Sequence, residues 1–295
     1  MSRLPPSVPA PAPRTFAVVG GGIAGLACAR ALVASGAEVT VFDKGRGVGG
    51  RATTHRVPPH TFDLGAQYFT ARDAAFVEQV ERWEREGVCR AWEGRIVAWE
   101  GGAPRASSPQ RRYVGTPGMG AIARALAEGL TVRRSHRIDR VRAVEERTVA
   151  PGITLPPARA RVAAGGTPEI DEATAPLGRF DGVVLAMPPE QAAVLLAEAT
   201  PHLAARARAV AMTPCVALGI AYEDGPGLRD LPFDGVFFPP DASIAWLARD
   251  SSKPGRPAGD RWVAHASPRW SRELQGEGDV YVIAAMRSAL GELLR

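Results

Sequence analysis

The sequence predicts a mixed α/β fold, with a parallel β-α-β unit opening the ordered chain and antiparallel strands further on. Three observations carry this. Two apolar, β-branched runs, TFAVV (15–19) and EVTVFD (38–43), flank the helically spaced LACARALVASG. Strands separated by a helix pair in parallel. Short alternating stretches broken by Gly and Pro recur from Cys89 to Arg112 and again after position 210, as antiparallel strands and their turns do. Amphipathic helical segments punctuate both kinds of region.

Taken in order, Leu26, Ala29, Leu32 and Val33 fall at helical spacing and Gly36 stands where a helix C′ residue belongs. In DAAFVEQVERWEREG (73–87), Asp73 can cap, Phe76, Val80 and Trp83 share a face, and Gly87 stops the helix. GMGAIARALAEG (118–129) predicts another helix. LTVRRSHRIDRVRAV alternates, its apolar positions Val132, Ile138, Val141 and Val144, and its arginines form a solvated face. Between 145 and 179 Pro, Gly, Ala and Thr dominate, which predicts a loose hairpin or disordered insertion. FDGVVLAMPP (180–189) predicts a buried strand with a hard stop, and EQAAVLLAEA the helix after it. MTPCVALGIAYE, GVFFPP, SIAWLARD and RWVAHAS continue the β pattern. DVYVIAAMRSALGELLR predicts a helix with Ile283, Met286, Leu290 and Leu293 on one face.

Composition excludes several classes. The 36 basic and 31 acidic residues leave +5, too little for a nucleic-acid binder. Cys28, Cys89 and Cys215 fit no metal spacing and read as reduced thiols, so no metal is expected. No apolar run approaches a membrane span. Residues 1–14, MSRLPPSVPAPAPR, lack the continuous apolar stretch of a signal peptide and read as a disordered Pro-rich tail. The expectation is a cytoplasmic protein.

GGGIAG places Gly20, Gly22 and Gly25 after a strand and at the start of a helix, with Asp43 about 20 residues on, at the end of the next strand. That is the context a dinucleotide-binding Rossmann unit requires. The glycines allow a tight turn, close approach of a pyrophosphate, and close helix packing. The helix start at Ile23 and Ala24 offers N–H groups to phosphate. Asp43 would accept from the adenosine ribose hydroxyls. FDKGRGVGGRATT (42–54) then adds a second glycine and arginine cluster. A nicotinamide site has no general need of it; a protein that buries FAD often has one. Lys44 and Arg51 can neutralise a pyrophosphate, Arg51 best because its planar fork suits phosphate oxygens, while Gly49 and Gly50 keep side chains out of the way. Arg46 reads as an exposed charge.

With DKGRGVGGR, FDLGAQYFTARD (62–73), YVGTPGMGAIARAL (113–126), WLARDSSKPGR (246–256) and WVAHASPRWS (262–271) on the page, the chain resembles the bacterial renalase-like flavoproteins of the FAD-dependent amine-oxidase superfamily. The likeness spans roughly 16–294, leaving out the 145–179 insertion. It implies a p-hydroxybenzoate-hydroxylase-like fold. The FAD-binding Rossmann-type domain is expected over 15–72 and 113–190, and the substrate domain over 73–112 and 191–295. The resemblance also implies oxidation of 2- or 6-dihydro isomers of NAD(P): the flavin takes a hydride, and O2 reoxidises it to hydrogen peroxide. Family members continue with a further flavin-contacting segment, which the resemblance places beyond Arg295.

Gln67 and Tyr68 are expected beside the isoalloxazine, with plain core packing the competing account for Tyr68. Ala186, Met187 and Pro188 are expected against FAD, and Val141 near the adenine. Trp246, Arg249, His265 and Trp270 are the substrate candidates. His265 is the sole catalytic candidate, although a strand histidine is more simply a packed core residue. Hydride transfer needs aligned stacking more than an acid or base. Two alternatives stay open, an amine oxidase or desaturase of the same superfamily and an inactive FAD- or nucleotide-binding remnant. Partners are a small-molecule substrate and O2, with neither nucleic acid nor membrane.

Overall fold

The structure, a computed structural model, describes residues 13–107, 109–144, 159–164, 176–223 and 227–294. Most of the 1–14 tail and of the 145–179 insertion lies outside the described residues. The chain forms two compact units, Met1–Gly47 with Ala127–Val210, and Val48–Leu126 with Ala211–Arg295.

The first unit holds a four-stranded parallel sheet in the order Gly182–Leu185, Thr15–Val19, Glu38–Phe42, Thr131–Arg133. Numbered along the chain, this is the 3-2-1-4 order of a Rossmann half. The topological switch lies between Thr15–Val19 and Gly182–Leu185, and ligands bind outside the carboxyl ends of strands at such a point. Helix Ile23–Ala34 connects the first pair, as the spacing predicts, and Gly36 turns out of it at φ +87°. A three-stranded antiparallel sheet, Ile138–Val144, Arg159–Ala164 and Pro176–Phe180, accompanies it. Ala17, Val19, Phe42, Ile138, Val141 and Leu195 form the core. Strand Gly182–Leu185 is half-buried, not buried as its run of Val and Leu suggested, because it is the end strand of its sheet. Helix Pro201–Arg208 has no counterpart in the sequence reading.

The second unit is built on a six-stranded sheet, in the order Ala217–Tyr222, Asp260–Ala266, Ile244–Arg249, Gly235–Phe237, Ile96–Glu100, Ala103–Ala106. Neighbours are antiparallel except Gly235–Phe237 with Ile96–Glu100, which are parallel. Helix Ala74–Arg85 begins at Asp73, whose carboxylate accepts from the N–H groups of Ala75 (3.1 Å) and Phe76 (3.2 Å); such a cap contributes about 1 kcal/mol. Trp262, Leu247, Ile244 and Met286 are the centre of the core, with Leu290 of helix Asp279–Leu293 packed on it. Ile283 departs from its expected core face and is exposed, as are Val280 and Tyr281. The packed face runs through Val282, Ala285, Met286, Ala289 and Leu290, one position round the helix from Ile283. No helix of the described residues is long and apolar enough to cross a membrane.

Candidate functional site

In the first unit two of the three glycines are required by the backbone around them, and the third borders open space. Gly20 sits at φ +114°, and a Cβ there would come 2.4 Å from the Ala186 carbonyl oxygen. A Cβ on Gly25 would stand 1.9 Å from the Gly20 carbonyl oxygen. At Gly22 a Cβ would meet nothing within 4 Å, so the backbone here faces open space at the helix start. No side chain caps helix Ile23–Ala34 and no acid lies in its first turn. The N–H groups of Ile23 and Ala24 therefore have no helical acceptor, and the positive end of the dipole is unopposed. An anion fits such a site.

Asp43 closes the same cradle. One carboxylate oxygen accepts from the Gly21 N–H at 2.5 Å, the other from the Gly45 N–H at 2.6 Å. Among the described residues two of its roughly four lone-pair sites take no further hydrogen bond. Ala186 tops the switch-point strand, its N–H bonded to the Val19 carbonyl at 2.8 Å. Met187 packs on the unit's core and Pro188 starts the next helix. Val141 is a core residue, 6% exposed. Lys44 is exposed and its ammonium donates to Gln191 Oε1 at 3.3 Å; Arg46 is exposed.

In the second unit, Gly49 (φ +125°) and Gly50 (φ +54°) turn the chain into Arg51. The Arg51 carbonyl oxygen accepts from the Ala66 N–H at 2.9 Å, and a Cβ on Gly65 would stand 1.9 Å from it. The G-G-R and D-L-G-A-Q-Y segments are thus in backbone contact. The Arg51 side chain is exposed.

The segments 62–73 and 246–256 are then joined by two buried polar links. Arg256 Nη2 donates to Asp63 Oδ2, and Arg256 Nη1 to the carbonyls of Gly115 (2.7 Å) and Pro254 (2.8 Å). The other Asp63 oxygen accepts from Thr54 Oγ1 (2.7 Å) and the Met119 N–H (3.0 Å). Lys253 Nζ donates to Gln67 Oε1 at 3.0 Å and to Asp250 Oδ1 at 2.8 Å, and the Gln67 amide donates to the Asp63 carbonyl. Asp63, Gln67, Asp250 and Lys253 are all buried. Burial pushes the Lys253 ammonium below its ordinary pKa, against the opposing pull of Asp250 and Asp63. His265 hydrogen-bonds the Leu64 carbonyl through Nε2 at 2.7 Å. Burial lowers its pKa first, and nearby Lys253 adds to that; the Leu64 bond opposes both.

Tyr68 lies beside this network as the hub of an aromatic group, its ring centre 5.8 Å from Trp246 and 6.3 Å from Trp92. The four substrate candidates do not form one wall. Trp246 is in the Tyr68 group and His265 is on the Leu64 carbonyl. Arg249 is consumed structurally: Nη2 donates to the carbonyls of Leu228, Arg229 and Leu231, and its guanidinium stacks 4.8 Å from Trp262. Trp270 packs on the core beneath the C-terminal helix. Sequence reasoning quoted Asp63, Asp250, Lys253 and Arg256 inside its motifs yet assigned them no role. The signal was present as four charges within two segments.

Comparison with known proteins defines the class. The pattern of an NAD(P)-binding Rossmann-like domain matches residues 18–80, and that of the flavin-containing amine oxidoreductases matches 84–294. The chain belongs to the flavin-containing amine oxidoreductase family, and FAD is the cofactor that this family implies. A 4,4'-diapophytoene desaturase of Staphylococcus haemolyticus is 42% identical over 72 residues, 23% of this chain and 14% of that protein. The chain thus spans about a seventh of that relative's length. Putrescine oxidase bound to putrescine shares the fold at TM-score 0.68 and 14% identity, over 96% of this chain and 82% of that one. A putative protoporphyrinogen oxidase from Exiguobacterium sp. 255-15 does so at TM-score 0.66 and 14% identity, over 96% and 83%.

Proposed function

We propose that this protein is a renalase-like FAD-dependent oxidase of dihydro-NAD(P) isomers reduced at the 2 or 6 position, acting in the cytoplasm. The first unit holds the adenosine and pyrophosphate end of FAD through Gly20, Gly22, the N–H groups of Ile23 and Ala24, and Asp43. Arg51 offers a guanidinium suited to phosphate oxygens. Gln67 and Tyr68 in the second unit serve the flavin ring and the substrate. When bound, FAD accepts a hydride and passes its electrons to O2, giving hydrogen peroxide.

One observation supports this reading most. Each carboxylate, lysine and histidine of the network beside Tyr68 is already committed. Asp63 and Asp250 are in buried ion pairs, Lys253 is held between Asp250 and Gln67, and His265 is on the Leu64 carbonyl with its neutral form favoured. An amine arrives as an ammonium and must lose a proton before it can give a hydride; a dihydropyridine need not. A site with no uncommitted base suits the second donor. The chain's residues orient and enclose, and none transfers a proton. A second reading, desaturation or amine oxidation, draws support from the short desaturase match.

The test is anaerobic flavin reduction in the FAD-loaded protein. The 2- and 6-dihydro isomers of NAD(P)H should bleach the flavin, and air should then release one peroxide per turnover. Bleaching by simple monoamines and not by those isomers would overturn the proposal in favour of the second reading.

A further inference from the structure

Four arginines of the second unit bury much of their guanidinium, and three of them make two or more hydrogen bonds through it. Arg256 is on Asp63 and two carbonyls, Arg249 on three carbonyls, and Arg261 on the carbonyls of Ala258 and Pro257. Arg112 is the exception. It is only 8% exposed, yet its guanidinium makes a single long hydrogen bond, Nη1 to the Gln110 carbonyl at 3.3 Å. Its Nε is buried without a partner, as are those of Arg249 and Arg256, but among the described residues no carboxylate pairs with Arg112, whereas Asp234 lies 3.7 Å from Arg249 and Asp63 pairs with Arg256. The guanidinium carbon lies 5.3 Å from the centre of the Tyr68 ring. On the same tyrosine packs Trp246, 5% exposed, whose indole Nε1 is likewise buried and unpartnered.

A buried guanidinium with one long hydrogen bond among the described residues, and a buried indole N–H with none, therefore adjoin one ring. A cation–π contact with tyrosine offsets only a small part of the cost of burying an unmatched guanidinium. An anion with several acceptor oxygens would satisfy both donors, and a phosphate matches the planar fork of arginine. We propose that Arg112 and the Trp246 indole N–H form the subsite for a phosphate group of the substrate. This rests on the dihydropyridine-nucleotide reading above and extends it. The same charge disfavours ammonium substrates.

The test compares a dihydronicotinamide mononucleotide isomer with the corresponding nucleoside, which lacks the phosphate, on the FAD-loaded protein. The wild type should prefer the mononucleotide. Arg112→Met should collapse that preference, read as a ratio of kcat/KM, by about 10- to 100-fold, the usual size of one charge-assisted bond. Trp246→Phe should reduce it by roughly threefold to tenfold. Calorimetric titration with inorganic pyrophosphate gives a readout independent of turnover: the wild type binds and Arg112→Met does not. Should Arg112→Met fail to fold, Arg112→Lys keeps the charge and loses the fork, and must still weaken the preference. An unchanged preference in Arg112→Lys and Trp246→Phe, or equal pyrophosphate binding with and without Arg112, overturns the subsite. If the wild type oxidises neither dihydropyridine yet binds pyrophosphate only with Arg112 present, the subsite stands and the parent reading falls.

Discussion

Replacing Asp63 by Asn probes the link between the two segments that frame the candidate site. The change keeps the shape and removes one charge. Asp63 and Arg256 have side chains 1% and 2% exposed, so water cannot stand in for the lost carboxylate. If the Asn oxygen stays on Thr54 and Met119, its NH2 group faces Arg256 Nη2, donor against donor. Removing one partner of a buried pair costs about 3–5 kcal/mol. Arg256 keeps its carbonyl contacts at 2.7 and 2.8 Å, which argues for the lower end, about 3 kcal/mol. At about 2–4 °C per kcal/mol for a cooperative unit of this size, the melting temperature of the second unit should fall by about 6–12 °C. Scanning calorimetry of the FAD-loaded protein measures it. The double variant Asp63→Leu with Arg256→Met leaves no orphan charge and should lie within about 2 kcal/mol of the wild type. A loss below about 1 kcal/mol for Asp63→Asn would class the pair with exposed ones and refute the reasoning. So would a double variant as unstable as the single.

Three further outcomes are expected. Gly25→Ala should unfold or empty the first unit, since its Cβ would stand 1.9 Å from the Gly20 carbonyl oxygen; flavin content after dialysis and circular dichroism report it. Arg51→Ala should lose FAD about 10- to 100-fold more readily with the fold intact, because its exposed side chain props nothing up; unchanged retention after dialysis would take the pyrophosphate role away from it. His265 should make stability fall as pH drops. Its folded pKa lies below 6.5, so below pH 6.5 the unfolded chain binds the proton first, and stability declines until the folded pKa is passed. His265→Gln should flatten that slope in urea titrations from pH 7 to pH 5.

What could be read from the sequence was what depends on neighbours along the chain. Two strands and a helix within 15–43 announce themselves by period, and Gly20 and Gly25 are glycine because backbone stands where a Cβ would be. The partner strand Gly182–Leu185 was recognisable as a strand, but its half-burial follows from its place at the sheet's edge, which periodicity does not encode. The same holds for Ile283: spacing groups it with Met286 and Leu290, but the core is met through Val282 and Ala285, and which edge of an apolar stripe faces inward is set by the packing partner.

The charged residues of the site illustrate the deeper limit. Lys, Arg and Asp are read as exposed by default because they almost never bury unpaired, and the exception needs a partner. Here the partners lie 193 residues apart for Asp63 and Arg256 and 186 apart for Gln67 and Lys253, so neither segment alone reveals the burial. Once paired, these groups do what an apolar contact of equal area would not. An apolar patch tolerates sliding, whereas Asp63 accepts from a guanidinium, a hydroxyl and a backbone N–H at once, and only one registration of the segments meets all three. Tyr68 is one residue from Gln67, and Trp246 precedes Lys253 on the opposite segment. The links that fix the registration therefore also fix the position of the Tyr68–Trp246 pair. The polar network is best understood as a positioning device for the aromatic group.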